Sequence, residues 1–226
     1  MANDGTVATW HTRPGGDDGM GEAHAPVWRR MIELSQLGDL SGSDVLDFGC
    51  NQGGFLRLLY ATHRFRSGLG IDIARDSVAR AEALKGDRPL SYVVGAEVAN
   101  LGRRFDLAFS HEVLYLLPDL AAHARDMAAV LKPGASYIAA MGCHRDMPLW
   151  PRWRELIASL STVKVQDHSL DDVAGAFSDA GFAVAARSLQ LEDFLPVEPA
   201  TRYYPRIVDL IRYYTIDKVL FRFTRE

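Results

Sequence analysis

The stretch from Val45 to Phe55 constrains the fold of this chain more than any other. It reads VLDFGCNQGGF, which predicts a short buried strand, a tight glycine-rich turn and the start of a helix. Glycine lets backbone N–H groups approach a ligand closely because it has no Cβ. The helix N-terminus adds positive partial charge, and Asp47 lies at the end of the strand. The turn therefore predicts a ligand site, although the same turn also occurs as a plain connection in α/β domains.

Strands and helices alternate along the chain, which predicts a mostly parallel α/β sheet with helices on both faces. The strands read as continuous apolar runs, as expected for a sheet that is covered on both sides. Ligands bind to such sheets at the carboxyl ends of the strands. The predicted strands are Asp44–Phe48, Gly68–Ile73, Leu90–Val94, Phe105–Ser110, Ser136–Met141, Ala183–Leu189 and Ile216–Thr224. The predicted helices are Ala25–Leu37, Phe55–Thr62, Asp76–Leu84, Leu120–Leu131, Trp150–Leu160, Ser169–Ala180 (with Ser169 as N-cap) and a last helix that ends at Tyr214.

Composition is that of an ordinary soluble globular protein, with 226 residues, 48% of them hydrophobic and 24% charged. The length predicts one domain over residues 25–226, with insertions at about 142–168 and 191–214. Residues 1–24 begin with a Gly- and Asp-rich stretch, so we expect a mobile segment that can act as a lid. They lack the pattern of a signal peptide, and no window approaches 18 apolar residues. Cys50 and Cys143 are interpreted as reduced thiols, and the expected location is cytoplasmic.

Sequence motifs in a fixed order give a family resemblance. They are VLDFGCNQGGF, GIDIARDSV, VVGAEVANL, FDLAFSHEVLYLLPD, LKPGASYIAAM and DAGF. From about Val45 to Phe182, the chain resembles the class I S-adenosylmethionine (SAM)-dependent methyltransferases of the small-molecule type. The resemblance implies a Rossmann-like seven-stranded sheet, mostly parallel with an antiparallel last strand, together with lid segments.

The resemblance also implies that SAM is the cofactor and S-adenosylhomocysteine the product. Gly49, Asn51 and Gly53 match the family's Gly-x-Gly-x-Gly turn. Asn51 departs from the pattern, but asparagine tolerates the positive φ that the turn needs. Asp72 would accept hydrogen bonds from the ribose hydroxyls, since one carboxylate can accept from both. The full set of implied cofactor-binding residues is Asp47, Gly49, Cys50, Asn51, Gly53, Asp72, Ile73, Ala96, Glu97, Val98, Ser110 and His111.

Two alternatives stand beside this interpretation of the cofactor site. A nicotinamide-dependent dehydrogenase also has an acid after its second strand, but it usually shows Gly-x-Gly-x-x-Gly without an acid on the strand before. Glu97 would meet the adenine edge if the resemblance holds, and it would otherwise be a solvated loop acid.

Four residues are candidates for the chemistry of transfer. His111 follows the fourth strand and is our candidate general base, needed only if the acceptor must lose a proton. Glu112, Tyr115 and His144 are second choices that would orient the acceptor. The alternative for His111 is a core histidine satisfied by backbone groups.

The acceptor is predicted to be a small molecule, methylated on an oxygen or a nitrogen. Where DNA and RNA base methylators of the family often carry Asn or Asp with Pro-Pro-aromatic, this chain has Ser110-His111-Glu112-Val113. The net charge of −4 also argues against nucleic acid as a partner. Neither a metal nor a membrane is expected, and a homodimer is left open. An RNA or protein methyltransferase and a SAM-binding protein without turnover remain the other classes.

Two further groups have competing interpretations. Trp150 and Trp153 either cover the core or contact the acceptor. The basic residues near the C-terminus, which include Lys218, are interpreted as solvated faces and as protection of an edge strand.

Overall fold

A computed structural model of the protein describes residues 5–13, 15–16, 18–197 and 203–226. Strands β1 to β7 are Asp44–Phe48, Ser67–Asp72, Leu90–Val94, Phe105–His111, Leu131–Met141, Phe182–Ser188 and Val219–Arg225. They form one seven-stranded sheet in the order β3-β2-β1-β4-β5-β7-β6. Only β7 is antiparallel to its neighbours, β5 and β6. The predicted α/β fold with an antiparallel last strand is therefore confirmed.

Seven α-helices in the described residues connect and cover the strands. Helices α1 to α7 are Met20–Ser35, Gly54–Thr62, Arg75–Leu84, Leu120–Val130, Trp150–Leu160, Leu170–Asp179 and Ile207–Arg212. The predicted N-cap of α6 is confirmed, because Ser169 and Asp172 form a capping box there, a motif that stabilises a helix by about 1 kcal/mol.

The predicted start of α1 was wrong by five residues. Proline is normally found in the first turn of a helix, and Pro26 is therefore compatible with the predicted start at Ala25. In the structure the helix begins at Met20 and contains Pro26. The additional turn brings Met20 and His24 to the cavity described below.

The last strand begins three residues later than predicted, and its position changes the interpretation of Lys218. A π-helical turn, Tyr213–Asp217, precedes Lys218 and β7. Because β7 lies between β5 and β6, it is not an edge strand. The Lys218 side chain is only 3% exposed and is paired with Glu112, so its assignment to a solvated or edge-protecting face was wrong.

Apolar side chains pack against both faces of the sheet. On one face the rings of Phe177 and Phe223 stack with centroids 3.7 Å apart. On the other face Met31 of α1 packs with Phe55 and Phe109. Predicted segments 1–24 and 191–214 lie partly outside the described residues.

Candidate active site

A cavity of about 320 Å³ lies at the carboxyl ends of β1, β2 and β4. The predicted cofactor-binding residues on its wall are Asp47, Gly49, Cys50, Asn51, Asp72, Ile73, Ala96 and His111. Of the predicted catalytic residues, Glu112 and Tyr115 also line it. The remainder of the wall is largely apolar, including Leu116 and Leu117.

The turn after β1 has the left-handed backbone that its sequence predicts. Gly49, Asn51 and Gly53 have φ of 76°, 46° and 70°, so asparagine does adopt the positive φ at the irregular position. A Cβ on Gly49 would lie 2.3 Å from Cγ2 of Val113, and only glycine avoids this steric clash because it has no Cβ. The backbone can therefore form the cavity wall at this point.

Asp72 holds the same turn from the end of β2. Its two carboxylate oxygens accept hydrogen bonds from the N–H groups of Asn51 (2.8 Å) and Ala74 (2.9 Å). Each carboxylate oxygen has more than one acceptor position, so this carboxylate can still accept from hydroxyl groups in the cavity.

Asp47 is a buried acid with an unsatisfied oxygen. Its side-chain Oδ2 has no hydrogen-bond partner among the described residues, and the residue is only 4% exposed. Burial, with the nearby charge of Asp72, raises its pKa to about 8. A cationic group would stabilise the ionised form, so these residues fit SAM, which carries a sulfonium and an ammonium.

His111 projects from the end of β4 into the cavity. Its Nδ1 accepts a hydrogen bond from the indole nitrogen of Trp28 at 3.1 Å, whereas its Nε2 has no partner among the described residues. The His24 ring packs edge-on to it with centroids 4.7 Å apart. Burial, with the charge of Lys218, lowers the pKa of His111 well below its usual value and that of His24 to about 4. Both rings are therefore neutral at pH 7.

Glu112 lies beside His111 in a buried ion pair. Lys218 donates to its Oε1, as do the Tyr213 hydroxyl (3.1 Å) and the Gly142 N–H (3.0 Å). Although burial opposes ionisation, the Lys218 charge holds the pKa of Glu112 below its usual value. Its φ of 55° is unusual for a residue other than glycine and orients this side chain at the strand end.

The remaining predicted site residues do not line the cavity. Side chains alternate along a strand, so Ser110 points away from His111 and accepts from the Tyr137 hydroxyl at 2.7 Å. The Gly53 carbonyl accepts from the hydroxyl of Tyr92. Glu97 is exposed and accepts from Asn100, as in the alternative interpretation, and Val98 is fully buried in the core.

His144 and the two tryptophans also have structural positions. His144 Nε2 is 2.7 Å from the Asp217 carbonyl oxygen, in the turn that precedes Lys218. Trp150 and Trp153 are buried, and their indole nitrogens donate to Asp167 Oδ1 and the Tyr203 carbonyl. The core interpretation of the tryptophans is therefore the one that fits the structure.

The N-terminal segment pairs with two other parts of the chain and contributes to the wall of the cavity. Val7 pairs with the chain after β2, where its N–H donates to the Ile73 carbonyl at 2.9 Å. The Trp10 carbonyl accepts from the N–H of Thr162 at 2.7 Å, and the Trp10 side chain lines the cavity.

Sequence reasoning missed Trp28, His24, Tyr213 and Lys218. None belongs to a motif of the resemblance. The only signal in the sequence was the spacing of His24 and Trp28. These two aromatic residues are four positions apart in α1, which places them on one face of the helix.

Neither a metal centre nor a membrane-spanning helix is found in the described residues. No group of three or more His, Cys, Asp and Glu side chains in the described ranges could hold a metal ion. No helix in that part of the chain is long and apolar enough to cross a membrane.

Comparisons with known proteins agree with this geometry. A family model described as a methyltransferase domain matches residues 23–187. A fatty-acid O-methyltransferase of Mycolicibacterium smegmatis is 27% identical over 117 residues, which are 50% of this chain and 43% of that protein. The chain thus spans less than half of this curated relative.

Solved structures share the fold at low sequence identity. One is a chain of the complex between the Haloferax volcanii Trm112 methyltransferase activator and a methyltransferase, with a TM-score of 0.78, 23% identity and coverage of 93% and 95% of the two chains. Another is geranyl diphosphate C-methyltransferase of Streptomyces coelicolor A3(2), with a TM-score of 0.68, 15% identity and coverage of 100% and 94%.

The protein belongs to the methyltransferase-domain family and is a class I SAM-dependent methyltransferase. Its cofactor is SAM. The similar proteins include both O- and C-methyltransferases.

Proposed function

We propose that this protein transfers the methyl group of SAM to an oxygen or nitrogen atom of a small-molecule metabolite. The observation that carries the proposal is the shared cavity, which is lined by three residues with unsatisfied buried polar atoms, Asp47, His111 and Glu112. Its size and the Trp10 side chain in its wall favour a small acceptor. The relative that methylates fatty acids supports the same class of substrate.

The residues of this chain would bind the cofactor and position the acceptor. The turn at Gly49, with Asp47 and Asp72, would hold the polar parts of the cofactor, and Ile73 with Ala96 would contact its adenine. Bound SAM supplies a methyl group that is already activated on a sulfonium. The task of the protein is then to align the acceptor and exclude water, for which the apolar wall and the N-terminal segment are suited.

The domain organisation is part of the proposal. The catalytic domain begins with α1 at Met20 and has insertions at about 142–168 and 191–214, and the residues that precede α1 act as a lid. The pairing of Val7 with the chain after β2, the pairing of Trp10 with Thr162 and the position of the Trp10 side chain in the cavity wall support this role.

The test combines calorimetry with product analysis. SAM and S-adenosylhomocysteine should each bind at one site, and binding should be lost in Asp72→Asn but kept in the exposed control Asp87→Asn. Methyl-labelled SAM incubated with a bacterial metabolite extract should then give a labelled product of low molecular mass. Label found only in RNA or protein fractions, or SAM binding without any labelled product, would contradict the proposal.

A further inference from the structure

His111 and Glu112 each have a buried polar atom without a hydrogen-bond partner among the described residues, and one of these atoms is a donor whereas the other is an acceptor. Indole nitrogen can only donate, so Nδ1 of His111, which accepts from Trp28, carries no proton. In the neutral ring the proton is therefore on Nε2, and the group without a partner is an N–H donor. A nitrogen that already carries its proton cannot act as a base, which argues against the predicted role of His111.

Glu112 supplies the complementary acceptor. Its Oε1 is saturated by Lys218, Tyr213 and Gly142, whereas Oε2 has no N–H or O–H donor in the part of the chain described. The thiol of Cys143 lies beside this carboxylate, but a thiol is a weak donor. A carboxylate held ionised by Lys218 and left with one open oxygen is suited to accept a proton-bearing group.

The ring of His111 and the carboxylate of Glu112, which carry these two atoms, lie side by side at the cavity. His111 Nε2 is 4.0 Å from Glu112 Oε1, too far for a direct hydrogen bond. A hydroxyl group has both a proton to donate and lone pairs with which to accept, so one such group beside the ring and the carboxylate can satisfy both atoms.

The geometry points to a hydroxyl group, held between His111 Nε2–H and Glu112 Oε2, as the methyl acceptor. This inference rests on the proposed function and selects oxygen over nitrogen, the two acceptor atoms that the proposed function allows. A hydroxyl oxygen can donate its proton to Glu112, accept from His111 with one lone pair and attack with the other. An amine has a single lone pair, which it cannot both share with His111 and use for attack. A carboxylate has no proton for Glu112 and would face its negative charge.

The proton balance of the step also fits Glu112. The acceptor oxygen forms a bond to the methyl carbon as the carbon–sulfur bond breaks, and the electron pair of that bond goes to sulfur. The hydroxyl proton goes to Oε2 of Glu112 and later to solvent. Because an oxygen that is gaining a third bond becomes strongly acidic, a carboxylate of low basicity is sufficient. Glu112 is then a catalytic residue, whereas Trp28 is a positioning residue that fixes the tautomer of His111.

Product chemistry tests the acceptor class. The full-length protein is incubated with methyl-labelled SAM and a panel of 1-octanol, 4-propylphenol, octanoate and octylamine, and separately with a metabolite extract. Label in a non-basic product that resists mild alkali, as an ether does, supports the inference. Label only in an alkali-labile methyl ester or in a methylamine overturns it and leaves the proposed function intact. No labelled small product, with SAM still bound, contradicts both.

Variants of His111 separate a donor from a base. The amide of His111→Gln can place an N–H near the position of Nε2, so we expect less than a tenfold loss of kcat. His111→Leu removes the donor and should lose more than a hundredfold, with SAM affinity unchanged within threefold in both. Equal losses in both variants would overturn the donor role. As an independent readout, ¹⁵N NMR should show the His111 proton on Nε2, and a proton on Nδ1 would also overturn it.

Discussion

The carboxyl group of Asp47 lies close enough to Asp72 for the charge of Asp72 to help raise the pKa of Asp47 to about 8. Burial is the larger cause. Between about pH 4 and pH 8 the folded protein therefore holds a proton on Asp47 that the unfolded chain releases, and this group makes the fold less stable as the pH rises through that range.

SAM affinity should therefore depend on pH. A cationic cofactor favours the ionised form of Asp47, so binding below pH 8 releases a proton, and the affinity should rise up to about tenfold per pH unit and level off above pH 8. Calorimetry in buffers of different ionisation enthalpy measures the proton release. Asp47→Asn should bind SAM at least tenfold more weakly, lose the pH dependence and raise the Tm of the cofactor-free protein at pH 8. A flat profile in the unmodified protein would contradict this assignment.

Trp28→Phe tests how the tautomer of His111 is fixed. The substitution keeps a ring of similar packing but removes the N–H that Nδ1 accepts. We expect His111 to populate both tautomers, kcat to fall about tenfold and stability to fall by about 1 kcal/mol. The proton positions are read by ¹⁵N NMR and the rates by labelled SAM. Phe55→Leu, at a ring that packs near Trp28 but makes no polar contact with His111, is the control for packing alone. A rate in Trp28→Phe no lower than in this control would contradict the role of the indole.

The cofactor half of the site was predictable because its signals are local. The turn at Gly49 and the acid at Asp72 follow continuous apolar strands, and βαβ connections bring those strand ends together. The other half depends on contacts between distant segments. Trp28 and His111 are 83 residues apart, and Glu112 and Lys218 are 106 apart. Lys218 immediately precedes β7, which lies between β5 and β6, and the neighbouring sequence gives no sign of that buried position.

Lys218→Met should be strongly destabilising on its own. It leaves Glu112 ionised and buried without its countercharge, and breaking a buried pair typically costs about 3–5 kcal/mol. Adding Glu112→Gln should recover at least half of the lost stability, since the uncompensated charge is then gone. Urea denaturation measures both variants, with Lys164→Met at an exposed lysine as the control. If the double variant is as unstable as Lys218→Met, the pair does not act as described.

Gly49→Ala should abolish SAM binding. The added methyl group would meet Val113 at 2.3 Å, and the φ of 76° is unfavourable for alanine. Gly102 has a similar φ of 63° with nothing within 4 Å of its Cβ position, so Gly102→Ala carries the backbone strain without the clash. SAM affinity by calorimetry should be lost in Gly49→Ala and kept in Gly102→Ala. Equal affinities in the two variants would contradict a close-packed turn.

Removal of residues 2–18 tests the proposed lid. The deletion leaves α1, which begins at Met20, but removes the pairing of Val7 and the side chain of Trp10 from the cavity. Because few core contacts are lost, we expect the truncated protein to fold and to bind SAM about tenfold more weakly, or ~1.4 kcal/mol. Trp10→Ala, which keeps the backbone of the segment, should give a smaller loss. Calorimetry with SAM compares the three proteins, and an unchanged Kd with an unchanged kcat after truncation would show that the segment is not a lid.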